Sequence, residues 1–282
     1  MAIKIITDST SDIPKHLIEE LDIEIVPLTV NFPDKSYKDD GLELTNDEFF
    51  KKLKESAELP TTSQVSPGEF VTVFERFLGE YDEIICIDIS SNLSGTFNAA
   101  TQAKNIIGSD RIHVVDSRMV SFAFGLVVVE AAKMAEDNRL VGEIVEFAQN
   151  GYTKMNNIFI FDTLEYLLKG GRLSKKEAFL GSLLNIKPIL TLVEGELKSI
   201  HKVRGGKKAV KYVISQLKED CSKYAIDKIA IYKGADSDMF DEIKRILDME
   251  FEFVEVIESK LGIVVGTHAG PGALAISYFR EG

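Results

Sequence analysis

The sequence predicts an α/β protein of two domains. Residues 1–155 are read as an α/β domain with a largely parallel sheet and helices on both faces. Residues 156–282 are read as an α/β domain with a mixed sheet and helices. Three observations carry this reading. Short β-branched runs alternate with amphipathic helical patterns through the first half, as parallel strands joined by crossover helices require. The run Ile84-Ile85-Cys86-Ile87 is apolar without alternation, which suits a strand covered on both faces. After Tyr152 the pattern changes, and residues 186–193, Glu194-Gly195 and 196–203 read as an antiparallel hairpin with a short glycine-containing turn.

In chain order, residues 3–7 form the first strand. Asp8-Ser9-Thr10-Ser11-Asp12 follows, and Pro14 suits the first turn of a helix, where its missing N–H costs no bond. Residues 23–30 read as a second strand, closed by a turn at Pro33-Asp34. Thr45-Asn46-Asp47-Glu48 is a capping box opening a helix to about residue 56. Pro60-Thr61-Thr62-Ser63-Gln64 reads as a loop. Ser66-Pro67-Gly68-Glu69 is a second capping box, and Phe70, Phe74 and Phe77 fall on one face of its helix, as core. A strand over 84–89 leads through a polar loop to a helix from about Phe97 to Ile107. Residues 111–115 are a strand, and helices follow from about Val120 and Val141. Beyond the boundary, 158–161 is a strand and 164–169 a short helix stopped by Gly170-Gly171. Another helix is expected from about 174 to 184, then the hairpin. A helix over 207–218, strand 226–232, helix 238–248 and strand 251–257 come next. Gly266-Thr267-His268-Ala269-Gly270-Pro271-Gly272 reads as a loop before a last strand, 273–278.

A length of 282 residues, with 45% hydrophobic and 28% charged residues, supports a substantial core. The net charge of −12 argues against a nucleic-acid or anionic-membrane surface, since both need a basic face. Cys86, inside an apolar strand, reads as a small buried hydrophobe, and Cys221 lies in a different element. The histidines His16, His113, His201 and His268 show no ligand spacing, so no metal and no intrinsic cofactor is expected. The chain enters a strand almost at once, without the organisation of a signal peptide. Its longest apolar stretch, 119–132, is too short to span a bilayer. A soluble cytoplasmic protein is expected. No exposed apolar heptad is visible, so a monomer is expected.

Three polar clusters point to an anion. Ser90-Ser91-Asn92-Leu93-Ser94-Gly95-Thr96 lies between a strand and a helix, where free backbone N–H groups and hydroxyls converge. The ordinary alternative is an N-cap with turn residues. Thr61-Thr62-Ser63 is a second hydroxyl cluster, and His268 lies between glycines. Ligands of open α/β sheets sit outside the carboxyl ends of the strands. Asp8, the Ser91 to Thr96 loop and Asp116-Ser117 all fall on that edge.

These motifs, with Thr7-Asp8-Ser9, Val115-Asp116-Ser117, Leu168-Lys169-Gly170-Gly171-Arg172-Leu173 and Ile186-Lys187-Pro188-Ile189-Leu190, resemble the DegV family of bacterial fatty-acid-binding proteins over the whole length. The resemblance implies two α/β domains with one long-chain fatty acid, of the palmitate or oleate class, held between them. It also implies a non-catalytic carrier, similar to the binding subunit of fatty acid kinase. In that scheme a separate ATP-binding kinase subunit phosphorylates the bound carboxyl to an acyl phosphate for phospholipid synthesis. Thr62, Ser94 and His268 match the family positions that grip the carboxylate, with Ser63, Gly95, Thr96, Thr267 and Arg172 as supporting candidates. Hydroxyls and an imidazole suit this chemistry, because a buried carboxylate needs several donors. The alternative for His268 is a turn histidine packed on glycines, and for Arg172 a structural salt bridge.

The tail needs an apolar tunnel. A sixteen-carbon chain at ~0.8 kcal/mol per buried CH₂ supplies on the order of 10 kcal/mol before costs. Phe122, Phe124, Phe159, Phe161, Phe179, Leu183, Leu184 and Ile189 are the wall candidates, with ordinary core as the alternative for each. Lys202, Arg204 and Lys207 gather in an otherwise acidic chain and are candidates for docking the kinase partner. Here Arg204-Gly205-Gly206-Lys207 is less continuously basic than in many relatives. Two other functions compete. One is a stand-alone enzyme acting on a small anionic substrate, with Asp8 and Asp116 as acid and base. The other is a lipid sensor without a catalytic partner. No Walker-type loop or dinucleotide fingerprint is present.

Overall fold

The first β-branched runs pair as expected. In the computed structural model, which describes residues 1–174, 185–251 and 255–280, strands β1 (Ile3–Asp8), β2 (Glu24–Val26), β6 (Glu83–Asp88) and β7 (Ile112–Asp116) form an all-parallel sheet in the order β2-β1-β6-β7. β1 and β6 are buried at consecutive positions, so both sheet faces are covered. The cover is two helix pairs, α3 (Pro67–Leu78) with α4 (Thr96–Ile107) and α5 (Phe122–Glu136) with α6 (Val141–Lys154).

The expected strand over 23–30 is two strands. Pro27 lacks an N–H, and the amide of Leu28 donates to Ser9 Oγ rather than to a sheet neighbour. The chain therefore leaves the parallel sheet after β2. It enters a small antiparallel sheet as β3 (Thr29–Asn31), between β4 (Ser36–Lys38) and β5 (Thr61–Ser63). The expected loop at 60–64 is thus strand β5. Helices α1 (Lys15–Glu20) and α2 (Asn46–Glu55) lie in this half, and both predicted capping boxes form, at Thr45 and Ser66.

From Met155 onward the described strands join one mixed sheet, in the order β10-β9-β8-β13-β11-β12. Its strands are β8 (Met155–Ile160), the antiparallel hairpin β9 (Ile186–Val193) with β10 (Glu196–Arg204), β11 (Lys228–Lys233), β12 (Glu255–Lys260) and β13 (Leu274–Phe279). Its helices are α7 (Glu165–Lys169), α8 (Gly206–Cys221), α9 (Asp238–Glu250) and α10 (Ile263–Ala269). The expected loop at 266–272 is largely α10, so His268 stands on the last turn of a helix. The helix expected over 174–184 falls mostly outside the described residues.

α5 joins the halves. It is apolar nearly all round over 122–129, as a helix buried along that length must be, and contacts β1, β11 and β13. One core cluster accordingly runs from Ile5 and Ile6 through Phe122 and Phe124 to Phe159 and Tyr232. A second, including Ile158, Ile189, Leu217 and Leu247, fills the other face of the mixed sheet under α8 and α9.

Candidate functional site

The loop after β6 is fixed from below and from the side. Ile89 N–H donates to Asp8 Oδ2 at 2.8 Å, and Ser91 N–H donates to Asp116 Oδ1 at 3.2 Å. Ser90 Oγ donates to the carbonyl of Gly195 at 2.8 Å, tying the loop to the hairpin turn. Gly195 has φ of +80°, and a Cβ there would lie 2.4 Å from Ser90 Oγ, so the turn needs glycine. The loop thereby presents Ser94 and Gly95 to a cavity of about 370 Å³ lying between the parallel and mixed sheets.

One end of this cavity is polar. β5 turns Thr62 inward, where its Oγ1 lies 2.8 Å from His268 Nε2. Ser63, Gln64, Ser94, Gly95 and Arg172 share this wall. Ser94 Oγ lies 2.9 Å from Thr96 Oγ1, and Gln64 packs so closely that a Cβ on Gly95 would lie 2.0 Å from Gln64 Oε1. Burial, with the Arg172 charge beside it, brings the His268 pKa down to about 4, so the ring is neutral near pH 7. Its Nδ1 is buried with no hydrogen-bond partner among the described residues. We assign the proton to Nε2, because an orphaned N–H is rarer than an orphaned acceptor. In that tautomer His268 donates to Thr62, and the Thr62 hydroxyl proton stays free for a third group.

Arg172 donates through Nε to the Leu93 carbonyl at 3.1 Å and through Nη1 to the Gly170 carbonyl at 2.6 Å. Among the described residues it meets no carboxylate, so the salt-bridge alternative is not realised there. A smaller cavity of about 180 Å³ adjoins the first and shares Thr62, Arg172 and His268 with it; Pro60, Tyr166 and Lys169 are among its other lining residues.

The rest of the main cavity is mostly apolar, with Thr10, Ser121 and Tyr232 also on its lining. Phe159, Phe161, Leu167, Leu197, Val264 and Leu274 contribute to it. Of the tail-wall candidates, Phe159 and Phe161 border this cavity, whereas Phe122, Phe124 and Ile189 do not. Phe122 and Phe124 are core residues of α5, and Phe122 meets the Tyr232 ring edge-on at 6.2 Å between centroids. Ile189 lies in the core under α8 and α9, whereas its neighbour Leu190 belongs to the core shared by both sheets, the alternation of any strand. Phe179, Leu183 and Leu184 lie outside the described residues. Thr96 is buried and serves Ser94. Thr267 donates to the Ile263 carbonyl at 2.8 Å and borders only the smaller cavity. Lys202, Arg204 and Lys207 are exposed and border neither cavity.

Sequence reasoning missed Gln64, Val120, Ser121 and Tyr232 on the wall. It also missed Val264, Val265 and Ala269, which share a helix face with His268 and whose helical spacing is the one signal that was there to find.

Four carboxylates lie behind the wall. Burial pushes Asp8, Asp12 and Asp88 up from the usual range, and Asp39 to about 6. None of them, nor Asp116, borders the cavity. No helix among the described residues is long and apolar enough to cross a membrane.

With this geometry in view, comparison with known proteins is specific. A family model described as "Uncharacterised protein, DegV family" matches residues 2–281. A DegV domain-containing protein of Caldanaerobacter subterraneus subsp. tengcongensis is 41% identical over 279 residues, covering 99% of each chain. A solved structure of a DegV family protein from Thermus thermophilus, described for its fatty acid binding, superposes with a TM-score of 0.91 at 33% identity. It covers 99% of this chain and 100% of that one. The crystal structure of DegV, a fatty acid binding protein from Bacillus subtilis, superposes with a TM-score of 0.89 at 34% identity, covering all of both chains. The chain belongs to the DegV family.

Proposed function

We propose that this protein is a cytoplasmic carrier that binds one long-chain fatty acid, grips its carboxylate with Thr62, Ser94 and His268, and presents it to a separate ATP-dependent kinase subunit. The observation that carries the reading is the make-up of the main cavity: one polar end with hydroxyls and a neutral imidazole, and a mostly apolar wall beyond it. A fatty acid is the ligand class with that polarity. Fatty-acid binding by the Thermus thermophilus and Bacillus subtilis relatives supports it.

The grip leaves the carboxylate reactive. The Thr62 and Ser94 hydroxyls donate to it, and the neutral His268 ring acts through its N–H on Thr62, so no ammonium is buried against the carboxylate and an oxygen lone pair remains available. In the proposed reaction that oxygen attacks the γ-phosphorus of ATP on the kinase subunit. The bond to ADP breaks, and acyl phosphate forms. The smaller cavity, sharing Thr62, Arg172 and His268 with the larger, is the side from which the phosphoryl donor approaches. Lys202, Arg204 and Lys207 are proposed to dock the kinase. They are exposed, have no ion-pair partner among the described residues, and Lys207 stands in the first turn of α8, where a cation opposes the helix dipole.

The stand-alone enzyme reading finds less support. Its acid and base, Asp8 and Asp116, accept backbone N–H groups and do not border the cavity. The test is oleate binding by Ser94→Ala and Thr62→Val, and acyl-phosphate formation with a kinase subunit by Arg204→Ala. The first two are expected to weaken binding about tenfold or more, the effect of a lost charge-assisted hydrogen bond. Arg204→Ala is expected to bind normally and to slow phosphorylation; lost binding would contradict its docking role.

A further inference from the structure

The helix that ends in His268 is held at its start by carboxylates from the other half of the chain. α10 has no side-chain cap from its own segment. Instead Gly262 N–H donates to Asp12 Oδ1 at 2.8 Å, Ile263 N–H to Asp39 Oδ1 at 3.0 Å, and Val264 N–H to Asp39 Oδ2 at 3.4 Å. The carbonyl of Asp12 also accepts from Ser259 Oγ, just ahead of the helix. The fit is close. A Cβ on Gly262 would lie 2.7 Å from Asp12 Oδ1 and 3.0 Å from Asp39 Oδ2. Further along, Gly266 packs against the rings of Phe49 and Phe50, where a Cβ would lie within 3 Å of each.

A helix of seven residues is marginal by itself, so its geometry is set by what holds its ends. Val264 and His268 are one turn apart on the same face, and a shift at the first reaches the second nearly undiminished. Two carboxylates side by side, Asp12 buried and Asp39 half-buried, are also an expensive cap. Asp8 adds a third negative group, and the nearby Lys260 is committed to Asp47 at 2.8 Å. A single hydroxyl or amide would cap a helix more cheaply. Paired carboxylates, however, offer enough oxygens to hold three successive N–H groups in one orientation.

We propose that Asp12 and Asp39 are positioning residues, whose paired carboxylates lock the start of α10 and so set the Thr62–His268 contact at the polar end of the cavity. The functional weight of this lock rests on the role given to His268 above.

Two variants act on the lock by different routes. Asp39→Asn removes charge and places an NH₂ group where an acceptor is needed. Gly262→Ala keeps every charge and wedges the carboxylates away. Lys260→Ala, which breaks only the exposed pair with Asp47, is the control. The readouts are the imidazole ¹H–¹⁵N spectrum of His268 in ligand-free full-length protein and, separately, oleate affinity. Both lock variants are expected to shift the His268 resonances away from the single Nε2–H pattern and to weaken oleate binding about tenfold. The control is expected to do neither. An unchanged His268 spectrum in either variant that folds would overturn the proposal. If His268 shifts in both variants while the unaltered protein binds no oleate, the lock stands and the fatty-acid reading fails instead.

Discussion

His268 serves the site as a neutral ring, and its neighbours are shaped around that. Gly170 approaches so closely that a Cβ there would lie 2.2 Å from His268 Nδ1. Gly170→Ala is therefore expected to displace the ring and weaken fatty-acid binding about tenfold, with the thermal midpoint lowered by only a few degrees; calorimetry of both quantities checks this. Asp39 makes the opposite electrostatic demand. Its folded pKa, about 6, is above the unfolded value of 3.8, so the folded state holds the extra proton between those limits. Its contribution to stability is thus present below about pH 4 and lost as pH rises towards 6. Asp39→Asn removes that loss, so the midpoint difference between variant and unaltered protein should shift in favour of the variant between pH 4 and 6. A flat difference across that window would show that Asp39 is not a buried acid. At this scale the sequence disclosed what local chemistry marks: hydroxyl clusters and a histidine between glycines. It hid Tyr232, because nothing in its apolar strand distinguishes a cavity wall from filled core.

The elements were legible where local signals are strong and hidden where tertiary context decides. The capping boxes at Thr45 and Ser66 formed as read, since both halves of each box lie within four residues. Phe70, Phe74 and Phe77 are buried on the face their spacing predicts. Phe74→Ala should cost about 3–5 kcal/mol in denaturant unfolding, as for a fully buried aromatic side chain. A loss below 1 kcal/mol would mean that α3 packs differently. The misread elements share a cause. β5 is three residues long and exists only because β3 pairs with it. α10 contains Gly266 and is flanked by Gly262 and Gly270, which argue against a helix, and it is held by Asp12, Asp39 and the Phe49–Phe50 pair. Its partners lie some two hundred residues away in sequence, where no window of local pattern reaches.

Across the whole molecule, the sheet changes at Met155, where we propose the boundary, yet the core does not divide there. α5 packs on strands of both sheets, and the cavity takes its wall from both halves. A single cooperative thermal transition is expected, seen alike by far-ultraviolet circular dichroism and tyrosine fluorescence; two separated transitions would mean that the halves fold independently. Ligand in the shared cavity binds only the folded state, so it should raise that midpoint. The most direct test of the central claim is native mass spectrometry of the protein purified from bacterial cytoplasm, followed by organic extraction of the released ligand. An added mass of one long-chain fatty acid per chain is expected, lost on denaturation and diminished in Ser94→Ala. A clean ligand-free mass that also stays unchanged after incubation with palmitate and with oleate would contradict it.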